Sequence, residues 1–475
     1  MLNHWTAAEL AKITNGEWQD GLFPNAGWRT AHIDSREMQE NDLFFALPGT
    51  HTDGHRFLSA LGESHTAIVQ TPTTQTKAAQ LRVPDVMTAL RHLAKAAMSE
   101  TKAAKIAVTG SVGKTGTKDA LFHILSAYGP CHASRGNFNN HIGAPLSMVR
   151  CPDEAEIIIM EMGMNHAGEI APLSQLFAGD IAIITKIAAS HIGHFTSLDD
   201  IAAAKAEIFT GMTSGIAILP ADDDYFDYLR DAALAQGLEV LSFGASDAAA
   251  IQLQGQKSVA EGQEIVICNH RTGISYELRL GLHAPHHAMI ALIGIAVCEA
   301  LRLDVEKALP HFATLQEMPG RGAHIALSLG ADHNTILIDD SYNAGPDSMQ
   351  AALRYLTTFN GQKIGLILTD MLELGTHSTA AHHALIAPLL DIKPDLLWLV
   401  GHEMSALSAS LSPLPDCRTS ETAASILPQL ADALSQCDVV LVKGSNGSGA
   451  PQIAAALRAY HHTTSDHIAE MPNAS

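Results

Sequence analysis

Short apolar runs that end in a glycine or a polar residue recur along the chain, and helical patterns lie between many of them. The clearest runs are "KIAVTG", "EIIIMEMG", "DIAIITK", "GIAILP", "TILIDD", "KIGLILTD", "LLWLVG" and "DVVLVKG". This alternation predicts an α/β fold in which mostly parallel strands are covered by helices. Ligands in such folds bind at the carboxyl ends of strands. The predicted strand ends carry Gly110, Glu161, Lys186, Asp339, Asp340, Asp370 and Lys443.

Breaks in this pattern divide the chain into three predicted domains, in line with a prior of about 150 residues per domain. Residues 1–83 have short strands and turns, and "RVPD", residues 82–85, is the predicted linker at their boundary with the next domain. Residues 84–315 hold the longest alternation of strands and helices. Pro319 and Gly320 interrupt the helix and strand patterns near the start of the third domain, residues 316–475.

Charge and composition narrow the classes of partner. Lys and Arg total 29 against 50 Asp and Glu, a formal net charge of −21, which disfavours nucleic acids and anionic membranes. The first twenty residues lack the apolar core of a secretory signal, and the longest apolar run, Ala288 to Cys298, is too short to span a bilayer. The six cysteines have no metal or redox spacing, which favours reduced thiols. We therefore expect a cytoplasmic protein without membrane insertion, and a monomer by default.

The stretch "AVTGSVGKTGTKDAL" has the layout of a strand, a phosphate loop and a helix. Its glycines let backbone N–H groups approach phosphate oxygens, a lysine adds positive charge, and a threonine hydroxyl can ligate Mg²⁺. The alternative is a glycine-rich turn with a surface lysine. Because strand, loop and helix occur in order, the nucleotide interpretation is favoured, with ATP-binding candidates Thr109, Gly110, Ser111, Val112, Gly113, Lys114 and Thr115.

Three further residues are candidate ligands or catalytic groups. Glu161 ends a predicted strand, His191 lies in "SHIGHF", and Lys205 lies in "AAAKAEIF". Mg²⁺ prefers oxygen ligands, so a strand-end glutamate near Thr115 is a suitable partner. Each residue also has a structural alternative: Glu161 as a helix cap, His191 as a core histidine, and Lys205 as a solvated lysine.

Taken together, the motifs resemble the Mur ligase family of ATP-dependent amide ligases in peptidoglycan precursor synthesis. The resemblance covers nearly the whole chain and rests on "HIDSREMQENDLFFALPGTHTDGH", "VTGSVGKT", "GNFNNHIGAPL", "EMGMNHAGEI", "AKAEIF", "DDSYNAGPDSM", "DMLELG" and "VKGSNGSG". It implies an N-terminal UDP-binding α/β domain, a central P-loop-type ATPase domain and a C-terminal Rossmann-like domain. "EMGMNHAGEI" with "DMLELG" favours the member that adds D-alanyl-D-alanine to UDP-N-acetylmuramoyl-tripeptide.

The resemblance also implies a mechanism. ATP phosphorylates the free carboxylate of the nucleotide-linked tripeptide, and the amine of D-alanyl-D-alanine attacks the resulting acyl phosphate. By that resemblance Lys114 holds the β and γ phosphates, and Thr115 and Glu161 hold one Mg²⁺. A second Mg²⁺ is expected on Glu161, His191 and a carbamate formed on Lys205.

Other residues receive expected roles from the same resemblance. Asn139 and Asn140 would face substrate or phosphate, with turn formation as the alternative for both. Ser35 and Arg36 would bind the UDP-sugar end, although Arg36 could be an ordinary surface cation. Domain closure would bring nucleotide-facing residues from the third domain, with Arg321 in a catalytic role. These residues are Arg321, Asp340, Tyr342 and Asn343.

Several positions depart from the family pattern. Ala284 and His287 stand where the family often has asparagines on the helix that flanks adenine. Gly345 stands where the family often has Asn, Thr369 where it has Gly, and Gly449 where a basic residue is expected. Two alternatives therefore stay open: a sister Mur or folylpolyglutamate-type ligase with another acceptor, and a non-catalytic nucleotide-binding protein.

Overall fold

The computed structural model describes residues 2, 4–19, 27–49, 52–190, 192–330 and 333–460. Within these residues the strands form three sheets, of five, nine and six strands, with helices between them. The predicted α/β class and its mostly parallel central sheet are therefore confirmed. In the described part of the chain, no helix is both long and apolar enough to cross a membrane.

The first sheet belongs to the N-terminal region and has the strand order β1-β5-β4-β3-β2. Its elements are α1 (Ala7–Thr14), β1 (Glu17–Trp18), β2 (Ala31–His32), β3 (Leu43–Phe45), β4 (Thr66–Val69) and β5 (Ala79–Arg82). Strands β2 to β5 pair in parallel, and β1 pairs antiparallel with β5. Helix α2 (Val86–Glu100) follows, begins at the Asp85 cap, and packs against α1 on one side and against helices of the central domain on the other.

The central sheet carries the predicted phosphate loop and has the order β14-β13-β12-β11-β10-β9-β6-β8-β7. Its strands are β6 (Ala104–Thr109), β7 (Cys131–Ala133), β8 (Ile157–Glu161), β9 (Ile181–Ile184), β10 (Ile216–Pro220), β11 (Glu239–Gly244), β12 (Ile251–Val259), β13 (Gly262–Asn269) and β14 (Ile274–Leu280). The helices are α3 (Lys114–Leu125), α4 (Gly143–Val149), α5 (Ile170–Phe177), α6 (Leu198–Ala206), α7 (Phe226–Ala235), α8 (Ala288–Ala300) and α9 (Val305–Ala313). The apolar run from Ala288 to Cys298 lies within the buried helix α8.

One part of this sheet is not in the sequence prediction. Strands β12, β13 and β14 form an antiparallel meander at one edge, joined to the parallel part through β11. They alternate buried and exposed positions because only one face packs on the core. These strands were not predicted, since β12 and β14 have no continuous apolar run and β13 has only the short run Ile265 to Cys268.

The third sheet has the order β15-β16-β20-β17-β18-β19, parallel except for the β15–β16 pair. Its strands are β15 (Ala323–Gly330), β16 (His333–Asp340), β17 (Ile364–Thr369), β18 (Leu396–Val400), β19 (Cys417–Ser420) and β20 (Val439–Lys443). The helices are α10 (Pro346–Leu356), α11 (Ser378–His383), α12 (Ile386–Ile392), α13 (His402–Ser405), α14 (Ala423–Ile426), α15 (Leu430–Leu434) and α16 (Ala450–Arg458). Short 3-10 helices include Ser35–Glu37, Ile192–His194, Pro285–His287 and Gly375–His377.

Candidate active site

The phosphate loop joins β6 to α3, as the sequence predicts, and its backbone requires glycine twice. Gly110 has φ +147°, and a Cβ there would lie 2.0 Å from the Thr185 hydroxyl. Gly113 has φ +80° and precedes the first residue of α3. The Thr185 hydroxyl donates to the Val112 carbonyl at 2.6 Å, which holds the loop against the end of β9. The loop is thus preformed, with a helix N-terminus directed at its opening.

Lys114 supplies the positive charge of this loop. Its Nζ donates to the Gly110 carbonyl at 2.7 Å and to the Ser111 carbonyl at 3.3 Å. Burial, the largest cause, lowers the pKa of the Lys114 ammonium; Glu161 opposes that shift, and the positive charge of Arg321 adds to it. Arg321 is a residue of the third predicted domain, so the structure brings two cations from different domains towards one place, which is suited to a polyanion.

Thr115 and Glu161 meet beside the loop. The Thr115 hydroxyl donates to Glu161 Oε2 at 2.7 Å, and Asn139 Nδ2 donates to Glu161 Oε1 at 2.6 Å. Glu161 is 1% exposed and ends β8, so the predicted strand-end placement is observed. The Asn140 side chain has a different environment. Its oxygen accepts hydrogen bonds from the backbone N–H groups of Ile142 and Gly143, in the turn that leads into α4.

Lys205 is a buried lysine on α6, 2% exposed, rather than the solvated lysine of the structural alternative. Burial, followed by the charge of Lys114, holds the pKa of the Lys205 amine well below its usual value, although Glu161 acts in the opposite direction. A neutral amine is a nucleophile, whereas an ammonium is not. His191, the third predicted ligand of this group, lies outside the described residues.

The chemistry of the oxygen donors suits Mg²⁺. The hydroxyl of Thr115 and the carboxylate of Glu161 are hard ligands at the mouth of the phosphate loop. No group of three His, Cys, Asp or Glu side chains in the described ranges has the arrangement of a metal site. Mg²⁺ commonly takes one or two protein oxygens and completes its shell with water and phosphate, so these two donors fit it.

Residues of the third domain form a second wall. Lys443 Nζ, at the end of β20, donates to Asp340 Oδ2 at 2.6 Å and to the Asn343 carbonyl at 3.2 Å. The Arg321 guanidinium lies 3.9 Å from the centre of the Tyr342 ring. The four residues that were predicted to face the nucleotide from this domain therefore all lie in this wall: Arg321, Asp340, Tyr342 and Asn343. Lys443 is 2% exposed and received no role from the sequence, although its position at a strand end was a usable signal.

A cavity of about 430 Å³ lies beside α3 and the segment that enters the third domain. Two buried side-chain atoms that face this region have no hydrogen-bond partner among the described residues: Asp119 Oδ2 and His287 Nδ1. Glu317, also in the lining, accepts from the backbone N–H of His283 at 2.6 Å. From the sequence, His287 was noted only as a departure from the family pattern, and Asp119 received no role although it lies one turn after Thr115 on α3.

Ser35 and Arg36 form a short 3-10 turn in the N-terminal domain. The Arg36 side chain is 87% exposed and donates to both oxygens of Asp34, from Nε at 2.9 Å and from Nη2 at 2.5 Å. The hydrogen bond from Arg36 lowers the pKa of Asp34 to about 2. The Arg36 guanidinium is therefore exposed to solvent and already paired with the Asp34 carboxylate.

Comparison with known proteins identifies the family. Profiles for the Mur ligase middle domain, the Mur ligase glutamate ligase domain and the Mur ligase family catalytic domain match residues 108–298, 327–446 and 30–108. The chain belongs to the Mur ligase family. The family resemblance deduced from the motifs is thereby confirmed.

Several relatives of this Mur ligase align over nearly its full length. The UDP-N-acetylmuramoyl-tripeptide–D-alanyl-D-alanine ligase of Escherichia coli is 32% identical over 95% of this chain and 98% of its own. The enzyme of the same name from Bacillus subtilis is 31% identical over 93% and 96%. The crystal structure of MurF from Acinetobacter baumannii superposes with a TM-score of 0.84, at 31% identity over 96% and 99%.

The structure explains one departure from the family pattern. Gly449 has φ +91°, and a Cβ at this position would lie 2.6 Å from the Cβ of Ala423. A side chain of any kind is therefore disfavoured at the start of α16. The residue before Gly449, Ser448, forms a hydrogen bond with the buried Thr369 hydroxyl.

Proposed function

We propose that this Mur ligase joins D-alanyl-D-alanine to UDP-N-acetylmuramoyl-tripeptide, with ATP as phosphoryl donor, in peptidoglycan precursor synthesis. The observation that carries the proposal is the Lys114 phosphate loop faced by the Thr115–Glu161 pair and by Arg321 of the third domain. The Escherichia coli and Bacillus subtilis relatives that bear this activity in their names align with more than nine-tenths of the chain. The site is therefore assigned to phosphoryl and acyl transfer rather than to nucleotide binding alone.

In the first step a carboxylate oxygen of the tripeptide attacks the γ-phosphorus of ATP, and the bond to the bridging oxygen breaks to release ADP. Two anions must approach each other, so positioning and neutralisation of charge supply most of the catalysis. Lys114 and Arg321 provide positive charge from opposite domains. Mg²⁺ held by Thr115 and Glu161 would neutralise phosphate charge.

In the second step the amine nitrogen of the dipeptide attacks the carbonyl carbon of the acyl phosphate and loses a proton. The tetrahedral species then breaks its bond to the phosphate oxygen, and inorganic phosphate leaves. A carboxylate resists attack by an amine, whereas a mixed anhydride accepts it. The coupling of both steps in one site requires that water stay out, which domain closure achieves.

Lys205 is proposed to carry a carbamate. Its neutral amine would attack CO₂, forming an N–C bond with release of one proton, and the product is an anionic oxygen donor. The low pKa that burial imposes on this amine supports the step. With Glu161 and His191 the carbamate would hold a second Mg²⁺, and Asn139 would orient Glu161.

The base of ATP is proposed to occupy the cavity beside α3. The lining includes Gly116 and Asp119, one turn beyond the phosphate loop, so a nucleoside can reach it from the phosphates. His287 Nδ1 and Asp119 Oδ2 are buried polar atoms that a base could satisfy. UDP is proposed to bind at Ser35 and Arg36. The monomeric state, the lack of nucleic-acid binding and the cytoplasmic location stay predictions.

Phosphate release from ATP and Mg²⁺ tests the proposal. We expect release only when UDP-N-acetylmuramoyl-tripeptide and D-alanyl-D-alanine are both present, with a peptide-bonded product detected by mass spectrometry. Single amino acids, offered as acceptors, distinguish a sister ligase, and a folate offered as the carboxylate substrate with glutamate as the amine distinguishes the folylpolyglutamate type. ATP binding with no phosphate release for any acceptor would overturn the proposal in favour of a non-catalytic nucleotide-binding protein.

A further inference from the structure

The loop that follows β9 contacts both the phosphate loop and the third domain. At its start, the Ser111 backbone N–H donates to the Lys186 carbonyl at 2.8 Å, and the Ala188 N–H donates to the Ser111 hydroxyl at 3.0 Å. Farther along, the Ser190 hydroxyl lies 3.5 Å from where a Cβ of Gly345 would stand. This loop therefore connects the nucleotide site to the C-terminal domain over a few residues.

The far end of the loop meets the "DMLELG" segment backbone to backbone. The Gly193 N–H donates to the Glu373 carbonyl at 3.1 Å. A Cβ on Gly193 would lie 2.8 Å from both the Glu373 oxygen and the Gly375 nitrogen. A Cβ on Gly375 would lie 3.1 Å from the Gly193 Cα. We call this contact among Gly193, Glu373 and Gly375 the latch.

The C-terminal side of the latch is held in a fixed shape. The backbone N–H of Met371 donates to Nε2 of the buried His382 at 3.0 Å, and the N–H of Leu372 donates to the Ser445 hydroxyl at 2.9 Å. Glu373 and Gly375 both have left-handed backbone, at φ +63° and +53°. This segment cannot move aside without breaking these hydrogen bonds. An added methyl group on Gly193 would therefore push the C-terminal domain away from the central domain.

We propose that Gly193 is a positioning residue, whose backbone contact with Glu373 and Gly375 sets the C-terminal domain against the loop that borders the phosphate site. Gly193 makes no contact with nucleotide or substrate in this role. Gly193 sets the distance between the phosphate loop and the third-domain residues that face it. A change at Gly193 therefore alters the geometry of the reacting groups rather than the affinity for ATP. The consequence for turnover rests on the proposed function, whereas the contact itself does not.

The test compares Gly193→Ala with Gly62→Ala, a glycine in the first domain where a Cβ would have 3.9 Å to its nearest neighbour and where φ is not positive. We expect Gly193→Ala to lower kcat at least tenfold, which corresponds to about 1.4 kcal/mol, and to change the Kd for ATP less than twofold. Gly62→Ala should match the unsubstituted protein in both quantities. Hydrogen exchange at the amide of residue 193, with ATP and Mg²⁺ bound, should be faster in Gly193→Ala.

The outcomes separate the two proposals. An unchanged kcat, or an unchanged exchange rate at residue 193 despite a lower kcat, would overturn the positioning role. An equal loss in kcat and in ATP affinity would also overturn it, because the nucleotide site itself would then be affected. Faster exchange in Gly193→Ala, combined with no turnover by the unsubstituted protein, would reject the proposed function and leave the latch contact supported.

Discussion

Acidification should weaken the contact between the central and C-terminal domains through one histidine, His324 on β15. Its ring stacks on that of His283, with centroids 4.2 Å apart and planes 16° apart, and its Nε2 lies 3.2 Å from the Tyr355 hydroxyl. Burial and the neighbouring His283 lower the pKa of His324 to about 4, while Glu317 acts in the opposite direction. The folded protein therefore keeps this ring neutral in mild acid.

The sign of the effect follows from proton binding. Between pH 6.5 and about 4 the unfolded chain protonates His324 and the folded chain does not, so acid favours unfolding in this window. At about 1.4 kcal/mol per pKa unit, the whole shift costs about 3 kcal/mol of folding free energy, of which about 2 kcal/mol is lost by pH 5. The pKa of His283 shifts upward because of its hydrogen bond with Glu317, and its contribution has the opposite sign: it is present below pH 6.5 and lost as pH rises.

The assay is urea unfolding at pH 7 and at pH 5, followed by circular dichroism. We expect His324→Phe, which keeps a ring in the stack but cannot titrate, to lose about 2 kcal/mol less than the unsubstituted protein between these two conditions. His92→Phe, at an exposed position on α2, controls for the removal of a histidine and should keep the original difference. Equal losses for His324→Phe and the unsubstituted protein would refute the reasoning.

Four other substitutions test the site and its surroundings. Lys114→Ala should lower kcat by at least a hundredfold with unchanged urea unfolding, because phosphate charge loses its partner; substantial ligation would contradict the phosphate role. Lys205→Ala should lose activity that short carboxylic acids partly restore, and an active variant that does not respond to these acids would exclude the carbamate. Arg36→Ala should raise KM for the UDP-linked substrate more than KM for the dipeptide, and equal changes would contradict the UDP assignment. Gly449→Lys should destabilise the protein by about 1–3 kcal/mol, since its side chain meets Ala423 at positive φ; an unchanged unfolding midpoint would show that this glycine is dispensable.

The local parts of the fold were predictable. All eight apolar runs singled out in the sequence are strands, and the phosphate loop begins and ends where its glycines place it. Apolar periodicity and glycine conformation depend on only a few consecutive residues. A short stretch of sequence is therefore sufficient to identify these strands and the phosphate loop. The meander of β12, β13 and β14 was not predicted: β12 and β14 have no continuous apolar run, and the short run Ile265 to Cys268 of β13 was not among those singled out.

The candidate site was predictable in part. Glu161 and Thr115 could be paired in advance, since the carboxyl ends of adjacent parallel strands meet at one edge of a sheet. The roles of Asn139 and Asn140 could not be separated, because whether an asparagine contacts a carboxylate or caps a helix depends on what lies across the fold. Asp119 and Lys443 received no role, although Asp119 lies one helical turn beyond Thr115 and Lys443 ends β20.

By itself the sequence determined the α/β class, the phosphate loop and the Mur ligase family, because these follow from local periodicity and from motifs read in chain order. Only the tertiary structure decided that Lys205 is buried near Lys114, that Gly449 must lack a side chain, and that Gly193 touches Glu373. Desolvation, steric exclusion and domain contact each depend on atoms that are far apart along the chain and close in space. Those properties exist only once the chain has folded.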